Sequence, residues 1–115
     1  MKTKINVSYN YGGWNISFSK SFNFPFTPFA GMCIIDDENK DVENYIELRE
    51  TDYRSIDMSY STKDEQFYID VRNLWNRPVR PDVIDETIDM FEKTNWERQD
   101  NTDIDKLKEL MDRNK

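Results

Sequence analysis

Five carboxylates, Asp82, Asp85, Glu86, Asp89 and Glu92, recur at helical spacing in the C-terminal part of the chain. Side chains three, four and seven residues apart on a helix form a row with neighbours roughly 5–6 Å apart. Such a row resembles the regular negative charge of a nucleic-acid backbone and can enter the basic groove of a partner. A solvated helix face kept soluble by its charge has the same spacing. Three further acids, Glu47, Asp57 and Asp70, lie in strand-like segments, where cross-strand pairing could join two of them as acid and base. Each occupies the polar phase of its alternation, which directs it to solvent and toward pairing with Arg49, Arg54 or Arg72.

Little other chemistry is available. The chain of 115 residues has no histidine, one cysteine and three glycines. Histidine–cysteine zinc sets and imidazole-based triads therefore cannot be built within it. Neither a phosphate loop nor a dinucleotide fingerprint fits. A calcium loop fails in both registers near Asp36: one puts Lys40 at the fifth position, and the other puts Val42 at the sixth and Leu48 at the twelfth. No catalytic residue, metal or cofactor is expected.

The charge is uneven. With 16 Lys plus Arg against 23 Asp plus Glu, the formal charge is -7. The first 35 residues carry Lys2, Lys4 and Lys20 and no acid, so every acid falls in the remainder. Eight of the aromatics also lie in this opening stretch, including Trp14, Phe22, Phe24, Phe26 and Phe29. Aromatics beside lysines can stack bases, but the acidic remainder would repel nucleic acid. The phenyl run reads as core, with Phe24, Phe26 and Phe29 forming a protein-contact patch where they remain exposed.

These groups must be held by a fold, and the alternation predicts one. Ile5, Val7, Tyr9 and Tyr11 alternate with polar residues, Gly12-Gly13 intervenes, and Trp14, Ile16 and Phe18 alternate again. A two-residue glycine turn then sets Tyr11 opposite Trp14, Tyr9 opposite Ile16 and Val7 opposite Phe18. The Phe24–Gly31 stretch holds Pro25 and Pro28 and reads as an extended crossing. A short strand is expected at Met32–Ile35, a solvated turn at Asp36–Asp41, and strands at Val42–Glu50, Arg54–Tyr60 and Phe67–Val71.

After Arg77-Pro78-Val79-Arg80-Pro81, a helix is expected from Pro81 or Asp82, with Asp82 able to cap it and Asn95 ending it. A second helix begins near Thr102, whose side chain can cap it, with Ile104, Leu107, Leu110 and Met111 as its apolar stripe. Trp75 and Trp96 flank the first helix and are expected to pin it to the sheet. Cys33 reads as a buried small hydrophobe. The Pro-x-x-Pro spacing at Pro78–Pro81 reads as a connector, and the Asn6 and Asn15 glycosylation patterns as idle.

The expected fold is a single α+β domain over residues 1–115: an antiparallel sheet of five to six strands over 1–76, built as the Gly-Gly hairpin plus a meander. One or two helices in 81–115 pack on it. No apolar run reaches the roughly 18 residues of a membrane span, and no leader is visible. The expectation is a non-enzymatic cytoplasmic protein that binds a basic protein partner, as a phage-type anti-defence or immunity-like inhibitor or adaptor does. A small-ligand or carboxylate-based enzyme domain and an assembly subunit are the alternatives. The sequence leaves the oligomeric state open.

Overall fold

A computed structural model describes residues 1–114. The elements, in chain order, are β1 (Lys2–Tyr11), β2 (Trp14–Asn23), β3 (Cys33–Asp36), β4 (Asn44–Glu47), β5 (Arg54–Ser61), β6 (Gln66–Leu74), α1 (Pro81–Lys93), β7 (Glu97–Arg98) and α2 (Ile104–Arg113). The architecture is α+β, with a five-stranded sheet in the order β5-β6-β1-β2-β7 and a separate two-stranded sheet, β3-β4.

The β1 and β2 strands pair antiparallel, with Tyr11 opposite Trp14, Tyr9 opposite Ile16 and Val7 opposite Phe18. Gly12 between them takes a φ of +57°, a conformation that costs glycine little. The register puts Ile5, Val7, Ile16 and Phe18 on one face, all buried.

The sheet is not the wholly antiparallel hairpin plus meander that the sequence suggests. It is mostly antiparallel, but β6 lies parallel to β1, with Ile5 beside Ile69 and Val7 beside Val71. Physically, β1 and β6 carry the most regular apolar alternation, and the centre of the sheet is where both can bury it. The β5 strand is left at one edge, and the two-residue β7, which the sequence did not announce, covers part of β2 at the other. The strand expected at Met32–Ile35 shifts by one residue to β3, and the one expected at Val42–Glu50 shortens to β4; the two pair only with each other. Asp36, expected in a solvated turn, is the last residue of β3 and is buried.

The helices also start differently. Arg80 is the N-cap of α1 and supplies no side-chain cap, so Asp82 does not cap the helix. Asp103, not Thr102, caps α2, accepting from the Lys106 N–H. Thr102 is engaged elsewhere, its hydroxyl donating to the Asn15 carbonyl. Asn95 follows the end of α1 with φ +65°, a left-handed conformation that asparagine tolerates.

Phe18 of β2 stacks on Phe91 of α1 at 4.3 Å between ring centroids, and Trp96 meets Phe91 edge-on at 5.1 Å. Trp75 packs on Tyr9 at 5.2 Å. The opposite face of the large sheet is mostly polar: Asn6 and Ser8 of β1 stand beside Asp70 and Arg72 of β6, and Asn10 stands beside the exposed Leu74.

Candidate functional site

The acidic face of α1 is partly neutralised. Asp82 lies 3.2 Å from Arg80, Asp85 2.9 Å from Lys108 of α2, and Asp89 2.8 Å from Lys93 one turn later. These ion pairs are exposed to solvent and so individually weak. Glu92 faces Arg98, which is itself engaged by Asp100. Glu86 has no hydrogen-bond or ion-pair partner among the described residues.

Glu86 is also the residue that borders two adjoining hollows. One, of about 220 Å³, lies over Tyr9, Val83 and Phe91; the other, of about 270 Å³, lies between Val42 and the last turns of α1. Met90 lines both and is 38% exposed. Together they form a shallow cleft between α1 and the β3–β4 hairpin. Its floor is apolar, and its polar neighbours are already committed. The Thr87 hydroxyl donates to the Val83 carbonyl at 2.7 Å, and the Asn44 amide donates to Thr94. Burial raises the Tyr9 phenol above its ordinary pKa despite the opposing Arg54 charge, so it stays neutral.

The sheet carboxylates are not gathered into a cleft. Asp57 and Asp70 face each other across β5 and β6 on the polar face, and Arg72 reaches both, at 2.5 and 3.8 Å. Asn6 also donates to Asp70 at 3.1 Å. Glu47 lies on the other sheet, opposite Cys33. Cys33 is exposed, contrary to the expected burial, because β3 turns Ile34 and Asp36 inward and leaves Cys33 and Ile35 in the outward phase. Partial desolvation, and then the Glu47 carboxylate, push its thiol pKa up, which favours the unreactive protonated form. Among the described residues no group of three His, Cys, Asp or Glu side chains could hold a metal ion.

The phenyl segment divides. Phe22, Phe24 and Phe26 stack in series at 5.1 and 5.2 Å, with Phe22 also edge-on to Trp96. Phe24 packs against the core, whereas Phe26 is 43% and Phe29 61% exposed. A further hollow of about 480 Å³ lies between Gly31, Leu48 and the β5 residues Ile56 and Met58; of its lining residues only Arg49 and Glu50 ionise.

One buried polar cluster escaped the sequence reading. Lys20 of β2 donates to Asp36 at 2.8 Å, to Glu38 at 2.7 Å and to the Thr94 carbonyl at 2.7 Å. The Trp96 indole N–H donates to the same Asp36 oxygen at 2.8 Å. Burial alone would lower the Lys20 pKa, but Asp36 and Glu38 outweigh it and hold it above the ordinary value. The signal was present in the pattern: Lys20 falls on the inward phase of β2, between Phe18 and Phe22, and Asp36 on that of β3. No buried side-chain nitrogen or oxygen among the described residues lacks a hydrogen-bond partner, so the buried part of the cluster holds the fold together.

No helix among the described residues is long and apolar enough to cross a membrane. Comparison with protein-family models, with curated proteins and with solved structures finds no match to this chain.

Proposed function

We propose that this chain is a small acidic non-enzymatic binding protein, an inhibitor or adaptor, that engages a basic protein partner through the outer face of α1. The observation that carries the reading is Glu86, a carboxylate with no partner of its own beside an apolar cleft. Of the five acids on α1, Asp82, Asp85 and Asp89 are countered by Arg80, Lys108 and Lys93, which leaves Glu86 and Glu92 as the surplus. Exposed ion pairs of this kind exchange partners at little cost, so the paired acids remain available to a cationic surface. The test is affinity capture from the native host at about 0.05 M and about 0.5 M NaCl. Retention should fall steeply at the higher salt, because charge-driven association weakens as screening shortens its range. Salt-independent retention would overturn the reading.

A second reading, an assembly subunit, is favoured by the edge strand β5. The Leu74 N–H bonds to the Tyr53 carbonyl, and by the alternation of an antiparallel pair Ile56, Met58 and Tyr60 direct their backbone groups away from β6. Only the Ile56 N–H meets a side chain, Glu50, at a long 3.5 Å. An edge of this kind invites another strand. Light scattering over a wide concentration range decides between the two: a mass that rises with concentration supports assembly, and a constant monomer mass removes it.

A further inference from the structure

We infer that the cleft between α1 and the β3–β4 hairpin takes a single cationic side chain, arginine or lysine, from the basic protein partner. The stem would lie on Val42 and Met90 and the charged head at Glu86. This deepens the reading above and rests on it.

The inference follows from what each wall of the cleft has left to offer. From α1, Lys93 is engaged by Asp89, and the Thr87 hydroxyl by the helix backbone. From β4, Asn44 is engaged by Thr94. From β1, the partly buried Tyr9 ring packs on Trp75 and Phe91, and its phenol stays protonated. Among the described residues lining the cleft, Glu86 is the one ionised side chain without an ion-pair or hydrogen-bond partner, and with Met90 it borders both hollows.

An anion would be repelled by Glu86, and a purely apolar group would leave the carboxylate desolvated without a partner. A compact cation would not cover Val42 and Met90. A charged head on an aliphatic stem satisfies both demands, because lysine and arginine lay their methylenes on apolar surface while the head finds a polar partner. Arginine adds a planar fork that can bond a carboxylate through two N–H groups.

The test is an NMR titration of the full chain, observing the Val42 and Met90 methyl signals and the backbone of Glu86. The probes are blocked Ala-Arg-Ala and Ala-Lys-Ala peptides, with the citrulline counterpart as a neutral isostere of arginine. Saturable shifts at Val42 and Met90 are expected with one or both cationic peptides, at least about fivefold tighter than with citrulline. Which of the two binds more tightly identifies the head group. Glu86→Gln should lower the cationic affinity to that of citrulline, while Glu109→Gln, on the exposed side of α2, should leave it within about twofold. Because Glu86 is exposed and unpaired, Glu86→Gln should keep the wild-type melting temperature within about 2 °C, which separates lost binding from lost folding. Citrulline binding as tightly as arginine, or shifts scattered over the acidic surface without Val42 and Met90, would overturn the inference. A native partner held in a salt-dependent way by both wild type and Glu86→Gln would remove the cleft while sparing the acidic-binder reading. Salt-independent retention beside a cleft that still selects arginine would remove the broader reading instead.

Discussion

Lys20 Nζ stands 2.8 Å from Asp36 Oδ2, joining the middle of β2 to the end of β3 across the interior. The Lys20 side chain is 12% exposed and that of Asp36 only 3%, so water screens the pair poorly. Through the Trp96 indole and the Thr94 carbonyl it also fastens the end of α1. This relationship fixes the small β3–β4 sheet against the large one, and with it the hairpin wall of the cleft.

Asp36→Ala should therefore be among the costly substitutions. It leaves a poorly hydrated ammonium without its buried counter-ion and the indole N–H without an acceptor, a loss of about 3–5 kcal/mol. The exposed Asp57→Ala, which breaks the Arg72 pair on the polar face, should cost under about 1 kcal/mol. Urea denaturation of the two variants measures the contrast, and equal midpoints would contradict it.

Asp100 gives the protein an acid-sensitive link. Burial works against its carboxylate, but Arg98 and the backbone N–H groups of Ser17 and Thr102 outweigh that and lower its pKa from 3.8 to about 2. A depressed folded-state pKa contributes stability that is present above the unfolded value and is lost as the pH falls through the folded one. Roughly 2 kcal/mol should disappear between about pH 4 and pH 2. In Asp100→Asn that part of the pH dependence should flatten, as followed by thermal melts across the acid range.

Phe18→Ala should cost about 3–5 kcal/mol, because it empties a fully buried site and ends the stack on Phe91. Phe29→Ala, at a position 61% exposed, should stay within about 0.5 kcal/mol. If chemical denaturation showed Phe29 to matter as much as Phe18, the assignment of the core would be wrong.

Asp103→Ala should lower stability by about 1 kcal/mol, the usual worth of an N-cap, since its side chain accepts from the Lys106 N–H. Asp82→Ala should cost less, because α1 has no side-chain cap to lose. Amide exchange should quicken in the first turn of α2 in the former variant and leave α1 unchanged in the latter.

Local pattern carried much of the architecture. Strict alternation from Ile5 through Phe18 determined which side chains face inward, because the strand period of two admits only two phases and one of them is apolar. The helical stripes of α1 and α2 were equally readable from their periodicity. In the candidate site, the position of Glu86 on the acidic face could be read from spacing, but its isolation could not. Asp82, Asp85 and Asp89 look the same in sequence, and only Arg80, Lys108 and Lys93 set them apart.

The sequence by itself determined the two helices and the inward phase of β1, β2, β4, β5 and β6, because these depend on neighbours a few residues away; it did not determine β7 or the phase of β3. Only the tertiary structure decided that β6 lies parallel to β1, that β3 and β4 form their own sheet, and that Lys20 meets Asp36. Those outcomes depend on which distant segments bury the most apolar surface together, and on which charges then find one another where water is scarce. No short window of residues encodes either competition.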